Sequence, residues 1–141
     1  MTSKLNPYIS LDGDAREALD FYHDIFGGKL DAQTFKEFGM EVPPEDADKL
    51  MHGSLVADNG ISIMVADTPN GMEYKPGTNV SMCLNGDDDS QLSSYFEQLS
   101  DGGNVTEPLV QAPWGDKFGM VTDKFGVRWM VNISGTQSAA Q

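Results

Sequence analysis

Apolar residues in this chain fall in short blocks whose spacing alternates between two and about three and a half residues, so strands and helices can be placed in order. Leu5 to Leu11 is rich in β-favouring residues and runs into Asp12, Gly13 and Asp14, which predicts a strand closed by a turn. Asp14 then offers an N-cap with Glu17 three residues later. Ala15, Ala18, Leu19, Tyr22 and Phe26 share one helical face, and Gly27 with Gly28 supplies the stop. Lys29 to Phe35, Met51 to Ala57 and Ile61 to Ala66 read as three strands, the last two joined through Asp58, Asn59 and Gly60. Asn-Gly between apolar runs predicts a hairpin in which both turn residues take positive φ. Glu37 to Lys49, with Gly39, Pro43 and Pro44, reads as a loop holding at most a short helix.

After Thr68 to Gly77, a linker by its Pro and Gly content, the pattern starts again. Asn79 to Leu84 predicts a strand, and Asp88 or Asp89 caps a helix carrying Leu92, Tyr95, Phe96 and Leu99 on one face. Gly102 and Gly103 end that helix, and Val105 to Val110, Phe118 to Thr122 and Val127 to Ile133 are the remaining strands. Phe21, Tyr22 and Gly27, Gly28 recur as Tyr95, Phe96 and Gly102, Gly103 about 75 residues on. The Asp58, Asn59, Gly60 turn and Ile61 to Val65 recur as Lys124, Phe125, Gly126 and Val127 to Val131 about 66 residues on. A matching order of elements, helix stops and hairpins predicts an internal duplication. The fold class it implies is α+β, a single domain of two βαβββ modules forming a curved mixed sheet with helices on the convex face. Module 1 spans about 5–67, the linker 68–78 and module 2 about 79–133. A small polar tail, 134–141, is expected to fray. A concave pocket is the expected place for function.

Composition narrows the classes. A chain of 141 residues buries roughly two thirds of the surface of its unfolded form, enough for one core. No basic, apolar leader opens the chain and no run reaches the ~20 apolar residues of a bilayer span, which points to a cytoplasmic location. Nine basic against 22 acidic residues, a net charge of −13, argues against nucleic acid and anionic membranes as partners and for a solvated acidic surface. Cys83 is the single cysteine, so an internal disulfide is impossible and a buried, inert thiol is the favoured reading.

Pro7 to Ala15, then Glu17, Ala18, Leu19, Phe21, Tyr22 and Phe26 to Gly28, resemble the opening of the PhnB-like subgroup of the vicinal-oxygen-chelate superfamily, which includes glyoxalases, bleomycin-resistance proteins and dioxygenases. Met51, His52, Leu55, the turn at Trp114, Gly115 and Asp116, and Thr122 to Trp129 are similar to its later landmarks. Lys124 and Val127 stand where relatives usually carry Pro and His, changes that leave Gly126 to make the turn. The resemblance implies that metal-dependent members hold a divalent ion on the first and last strands of each module through His, Gln and Glu. By that pattern the positions here are Asn6 or Pro7, Met64, Asn79 and Met130.

None of these is a good ligand for a hard or borderline divalent ion, so no metal ligand and no cofactor are predicted, with a divalent metal not excluded. Two Met and an Asn would suit Cu(I); an apolar pocket floor is the favoured explanation of Met64 and Met130. His52 is the candidate catalytic residue, on a strand face shared with Ser54 and Val56, where it can bind a substrate oxygen or exchange a proton. A purely structural histidine is the alternative. His23, on the helix beside Asp24, reads as a surface residue. Trp114 and Asp116 read either as pocket rim, suited to a cationic or aromatic ligand, or as a tight turn with a half-buried indole. Trp129 should face the helix.

The expected function is a small-molecule-binding protein of the glyoxalase/bleomycin-resistance type whose pocket of Met64, Asn79, Met130, Trp114 and Asp116 lacks the usual divalent site. The alternative is a metal-dependent glyoxalase-like isomerase, lyase or dioxygenase with a shifted ligand set including His52. A methyltransferase label attached to the subgroup gains no support, because no Gly-rich turn follows a strand in an α/β unit. The resemblance also implies a homodimer.

Overall fold

The computed structural model describes residues 3–69 and 71–135. The chain divides between Lys75 and Pro76 into two compact units, each a βαβββ module. Module 1 comprises β1 (Tyr8–Leu11), α1 (Ala15–Phe26), β2 (Lys29–Thr34), β3 (Leu50–Val56) and β4 (Ser62–Asp67). Its sheet order is β1-β4-β3-β2, with β1 parallel to β4 and the other pairs antiparallel. Module 2 repeats the plan with β5 (Met82–Gly86), α2 (Asp89–Leu99), β6 (Asn104–Gln111), β7 (Lys117–Thr122) and β8 (Arg128–Ile133), in the order β5-β8-β7-β6. The α+β architecture of two duplicated modules is therefore as the pattern of the sequence implies.

Each helix packs on one face of its own sheet. In module 1, Ala15, Ala18, Leu19 and Tyr22 of α1 are buried with Leu55, Ile63 and Val65 of the sheet. In module 2, Leu92, Phe96 and Leu99 of α2 are buried with Leu84, Val121, Trp129 and Val131. Strand alternation sends the intervening residues to the opposite, helix-free face. A glycine sits under each helix. A Cβ on Gly53 would lie 2.8 Å from the Leu19 side chain, and one on Gly119 would lie 2.9 Å from the Phe96 ring and 2.9 Å from the Leu109 backbone.

Several details depart from the sequence expectations. Asp14 occupies the N-cap of α1 but makes no side-chain cap bond. The buried carboxylate of Asp67, at the end of β4, accepts from the N–H groups of Gly13 and Ala15 through Oδ1, both at 2.9 Å, and from Leu50 through Oδ2 at 3.0 Å. A long-range carboxylate thus takes over the helix-terminal donors that a local cap would have served. The Asp58-Asn59-Gly60 turn has positive φ at Gly60 only. Gly60 donates to the Ala57 carbonyl and Ala57 to that of Ile61, which makes it a type I turn followed by a left-handed glycine. Gly126 repeats the same geometry by donating to the Asp123 carbonyl, while Asp123 donates to that of Val127.

The first strand of module 2 is Met82–Gly86, so Asn79 precedes it in an exposed bend. The loop after β2 holds a single 3-10 turn, Pro44–Asp46, whose buried Asp46 pairs with Lys49 at 2.9 Å. Ser134 and Gly135, the start of the expected frayed tail, are pinned: Ser134 donates to the Gly86 carbonyl and Gly135 to Asp116. Residues 136–141, the rest of that tail, lie outside the described residues.

Candidate ligand-binding faces

On module 1 the register places Tyr8 and Ser54 on either side of Met64, and His52 two residues along β3 on the same helix-free face. The opposite orientation is ruled out for His52 because its neighbours Gly53 and Leu55 lie beneath α1. Gln33 on β2 is directly opposite His52, and Asp31 opposite Ser54. The Tyr8 and His52 rings lie 6.0 Å apart, centroid to centroid, with a tilt of 32°. The face therefore combines an imidazole, a phenol, a hydroxyl, a carboxamide and, at its edge, the Asp31 carboxylate around one thioether. Such a surface can donate to and accept from a small polar ligand while Met64 and Tyr8 cover its apolar part.

On module 2 the equivalent face is built from different chemistry. Cys83 is opposite Met130 on β5 and β8, Met120 is opposite Met130 on β7 and β8, and Asn85 is opposite Asn132. Phe118, opposite Asn132 on β7, meets Trp114 edge-on at 6.1 Å between centroids. Trp114 is 61 % exposed, so its indole is largely open to solvent. Asp116 holds the end of the module together: Oδ2 accepts from Asn132 Nδ2 at 3.1 Å and Oδ1 from the Gly135 N–H at 3.0 Å. Its carboxylate thereby orients the Asn132 amide. Trp129, as expected, is buried under α2, with Nε1 donating to Asp123 at 2.9 Å.

The structure thus brings Met130 together with the Trp114–Asp116 turn through Asn132 and Phe118 on one module, and Met64 with His52 on the other. Asn79 joins neither group. Cys83, expected to be buried, is exposed, because it alternates with the buried Leu84 and so lies on the helix-free side of β5. Sequence reasoning did not place Tyr8, Cys83, Phe118 or Met120 among the site residues. The repeat itself carried the signal for one of them: the 75-residue spacing that aligns the helix stops also aligns Tyr8 with Cys83.

A separate cleft of about 270 Å³ opens at the strand ends of module 2, lined by Asp87, Asp89, Gln111, Lys117 and Ser134 among others. Its one lysine is neutralised in place by Asp89, 2.6 Å away. The same ammonium, with a Ser93 hydroxyl bond behind it, holds the Asp89 carboxyl below its ordinary range. None of the residues proposed from sequence lines this cleft.

A family model described as Glyoxalase/Bleomycin resistance protein/Dioxygenase superfamily matches residues 4–131. The chain belongs to this superfamily. Among its relatives, Protein YjdN of Escherichia coli (strain K12) is 28% identical over 144 residues, covering 92% of this chain and 94% of its own length. The crystal structure of protein PA1353 from Pseudomonas aeruginosa is 36% identical with a TM-score of 0.80, over 94% of this chain and 98% of that one. A PhnB protein from Bacillus cereus shares the fold at 21% identity and a TM-score of 0.72, covering 94% and 100% of the two chains.

The resemblance puts the divalent site at Asn6 or Pro7, Met64, Asn79 and Met130; in the structure the residues paired with the two methionines across the parallel strands are Tyr8 and Cys83. The donor set fails that test: a phenol, a thiol and two thioethers offer no carboxylate or imidazole to a hard or borderline divalent ion. Among the described residues, no three His, Cys, Asp or Glu side chains are grouped closely enough to hold one elsewhere.

Proposed function

We propose that this superfamily member binds a small organic molecule against its helix-free sheet faces without the divalent ion that its metal-dependent relatives use. The observation that carries the reading is the pair of registers Tyr8 to Met64 and Cys83 to Met130, which puts soft or neutral side chains at the centre of both faces. Rim aromatics and the acidic surface favour a cationic or aromatic ligand, which Trp114 can hold by stacking. A homodimer belongs to the same reading, supported by the habit of the subgroup, and light scattering should return twice the chain mass. No helix among the described residues is long and apolar enough to cross a membrane.

Elemental analysis of protein purified without added metal is the direct test. Less than about a tenth of an equivalent of Zn, Ni, Mn or Fe is the expected result, and a stoichiometric, tightly held one of these would sink the reading. Ligand screening followed by Trp fluorescence supplies the positive arm. A true ligand should change the emission of the wild type and lose that effect in Trp114→Ala.

One observation favours a second reading. His52 stands on the open face of module 1 beside Tyr8, where an imidazole can take part in acid–base chemistry on a bound substrate. A glyoxalase-like isomerase, lyase or dioxygenase built on it would lose nearly all turnover in His52→Gln. A pure binding protein would show only a change in affinity.

A further inference from the structure

The helix-free face of module 2 carries three sulfur side chains in one row. Cys83 on β5, Met130 on β8 and Met120 on β7 occupy directly opposed positions on three adjacent strands. Their neighbours Leu84, Val121, Trp129 and Val131 are all buried on the helix side, which fixes the three sulfurs on the open side. We propose that Cys83, Met120 and Met130 bind a soft monovalent metal ion of the Cu(I) class, a site distinct in chemistry from the divalent site of the superfamily.

Three features support this. Neighbouring strands are about 4.8 Å apart, and methionine has three rotatable bonds, so two thioethers and a thiolate can converge on an ion above the central strand without backbone movement. Two thioethers beside a single thiolate form a soft donor set that suits Cu(I) and offers little to hard divalent ions. Cys83 is exposed and both Met120 and Met130 are half-buried, so all three side chains can be reached by an ion from solvent. The thiol is further oriented by Asn85, whose Nδ2 donates to Sγ at 3.8 Å. Module 1 has Tyr8, Ser54 and Met64 at the matching places, one sulfur among oxygen donors, so the row is not a by-product of the duplication.

The test is an anaerobic competition of the full-length protein against bicinchoninate for Cu(I), read from loss of the chromophoric chelate. One equivalent should transfer to the wild type. Cys83→Ser should weaken binding by more than about tenfold, and Met120→Leu and Met130→Leu each by about tenfold. Met72→Leu, at an exposed methionine outside both sheets, should leave it unchanged. The near-isosteric changes lie on a solvent-facing surface, and circular dichroism confirms that the variants fold. No transfer to the wild type would overturn the proposal, as would binding that needs Cys83 but ignores both methionines, which is a simple thiol adduct. Either failure leaves the absence of a divalent site untouched. Stoichiometric zinc or manganese, conversely, would remove that reading without bearing on Cu(I).

Discussion

The two modules share a plan and differ in where each keeps its buried carboxylate. In module 1 the last strand ends in Asp67, which ties the start of α1 and the start of β3 to the sheet. The matching position in module 2 is Ile133, an ordinary core residue, and α2 is capped locally by Asp88, whose side chain accepts from the Gln91 N–H at 3.1 Å. Module 2 instead buries Asp123 at its last hairpin. It accepts from the N–H groups of Phe125 and Val127 and from Trp129 Nε1, at 2.9, 3.0 and 2.9 Å, where module 1 has Ala57. A duplicated fold therefore needs its helix and hairpin ends satisfied, but the residue that does so can move between strand end, cap and turn. Three N–H donors organised by one carboxylate are a common solution reached from a different place in each half.

That difference predicts the largest effects. Asp67→Ala strands three donors at once, two of them at a helix terminus, and should cost about 3–5 kcal/mol in urea unfolding. Asp123→Ala loses two turn donors and the indole bond, one of them nearer solvent, and should cost somewhat less, about 2–4 kcal/mol. A loss below about 1 kcal/mol in either variant would show that water replaces the carboxylate and that the buried aspartates are not the organising elements. Asp14→Ala, at the residue that the sequence nominates as cap, should cost well under either.

Most of the fold was legible because duplication made each half a check on the other. The helices Ala15–Phe26 and Asp89–Leu99 and six of the strands fall within a residue or two of the pattern in the sequence. The misplacements share a physical cause. Val80, Met82 and Leu84 alternate as a strand would, yet Val80 is 75 % exposed and outside the ladder, because pairing with β8 and not local alternation decides where β5 begins. Asp67 falls just past the strand read as Ile61 to Ala66 and gives no sign of its role, since a capping partner about 52 residues away in sequence leaves no local signature. The face chemistry inherited the same error. Taking Asn79 as the partner of Met130 hid Cys83, and with it the row of sulfurs.

The second comparison sets the two glycines beneath the helices against each other. An added methyl at Gly53 would meet the ends of the Leu19, Val65 and Leu50 side chains, which can rotate away. One at Gly119 would meet the Leu109 backbone at 2.9 and 3.0 Å as well as the Phe96 ring, and neither strand β6 nor a packed ring yields so readily. Gly119→Ala should therefore cost about 2–3 kcal/mol and Gly53→Ala about 1 kcal/mol or less. Equal costs would mean that the modules are equally tight under their helices.

The smallest effects test how α2 begins. Asp88→Ala should cost about 1 kcal/mol, and Asp88→Ser should recover most of it, since a hydroxyl can accept from the same N–H. One residue later, Lys117 holds the exposed Asp89 carboxyl below its ordinary value. A lowered folded-state pKa stabilises the fold at pH values above the ordinary carboxylate range, and the contribution disappears as pH falls through the lowered value. Both partners are solvent-exposed, so the pair should matter only at low salt. The thermal midpoint of Lys117→Gln should sit slightly below that of the wild type at pH 7 in dilute buffer. The two should converge once the pH falls well below the ordinary carboxylate range and also at about 1 M salt, where the screening length falls to about 3 Å. A gap that survives both conditions would assign the role of Lys117 to packing along the cleft and not to its charge.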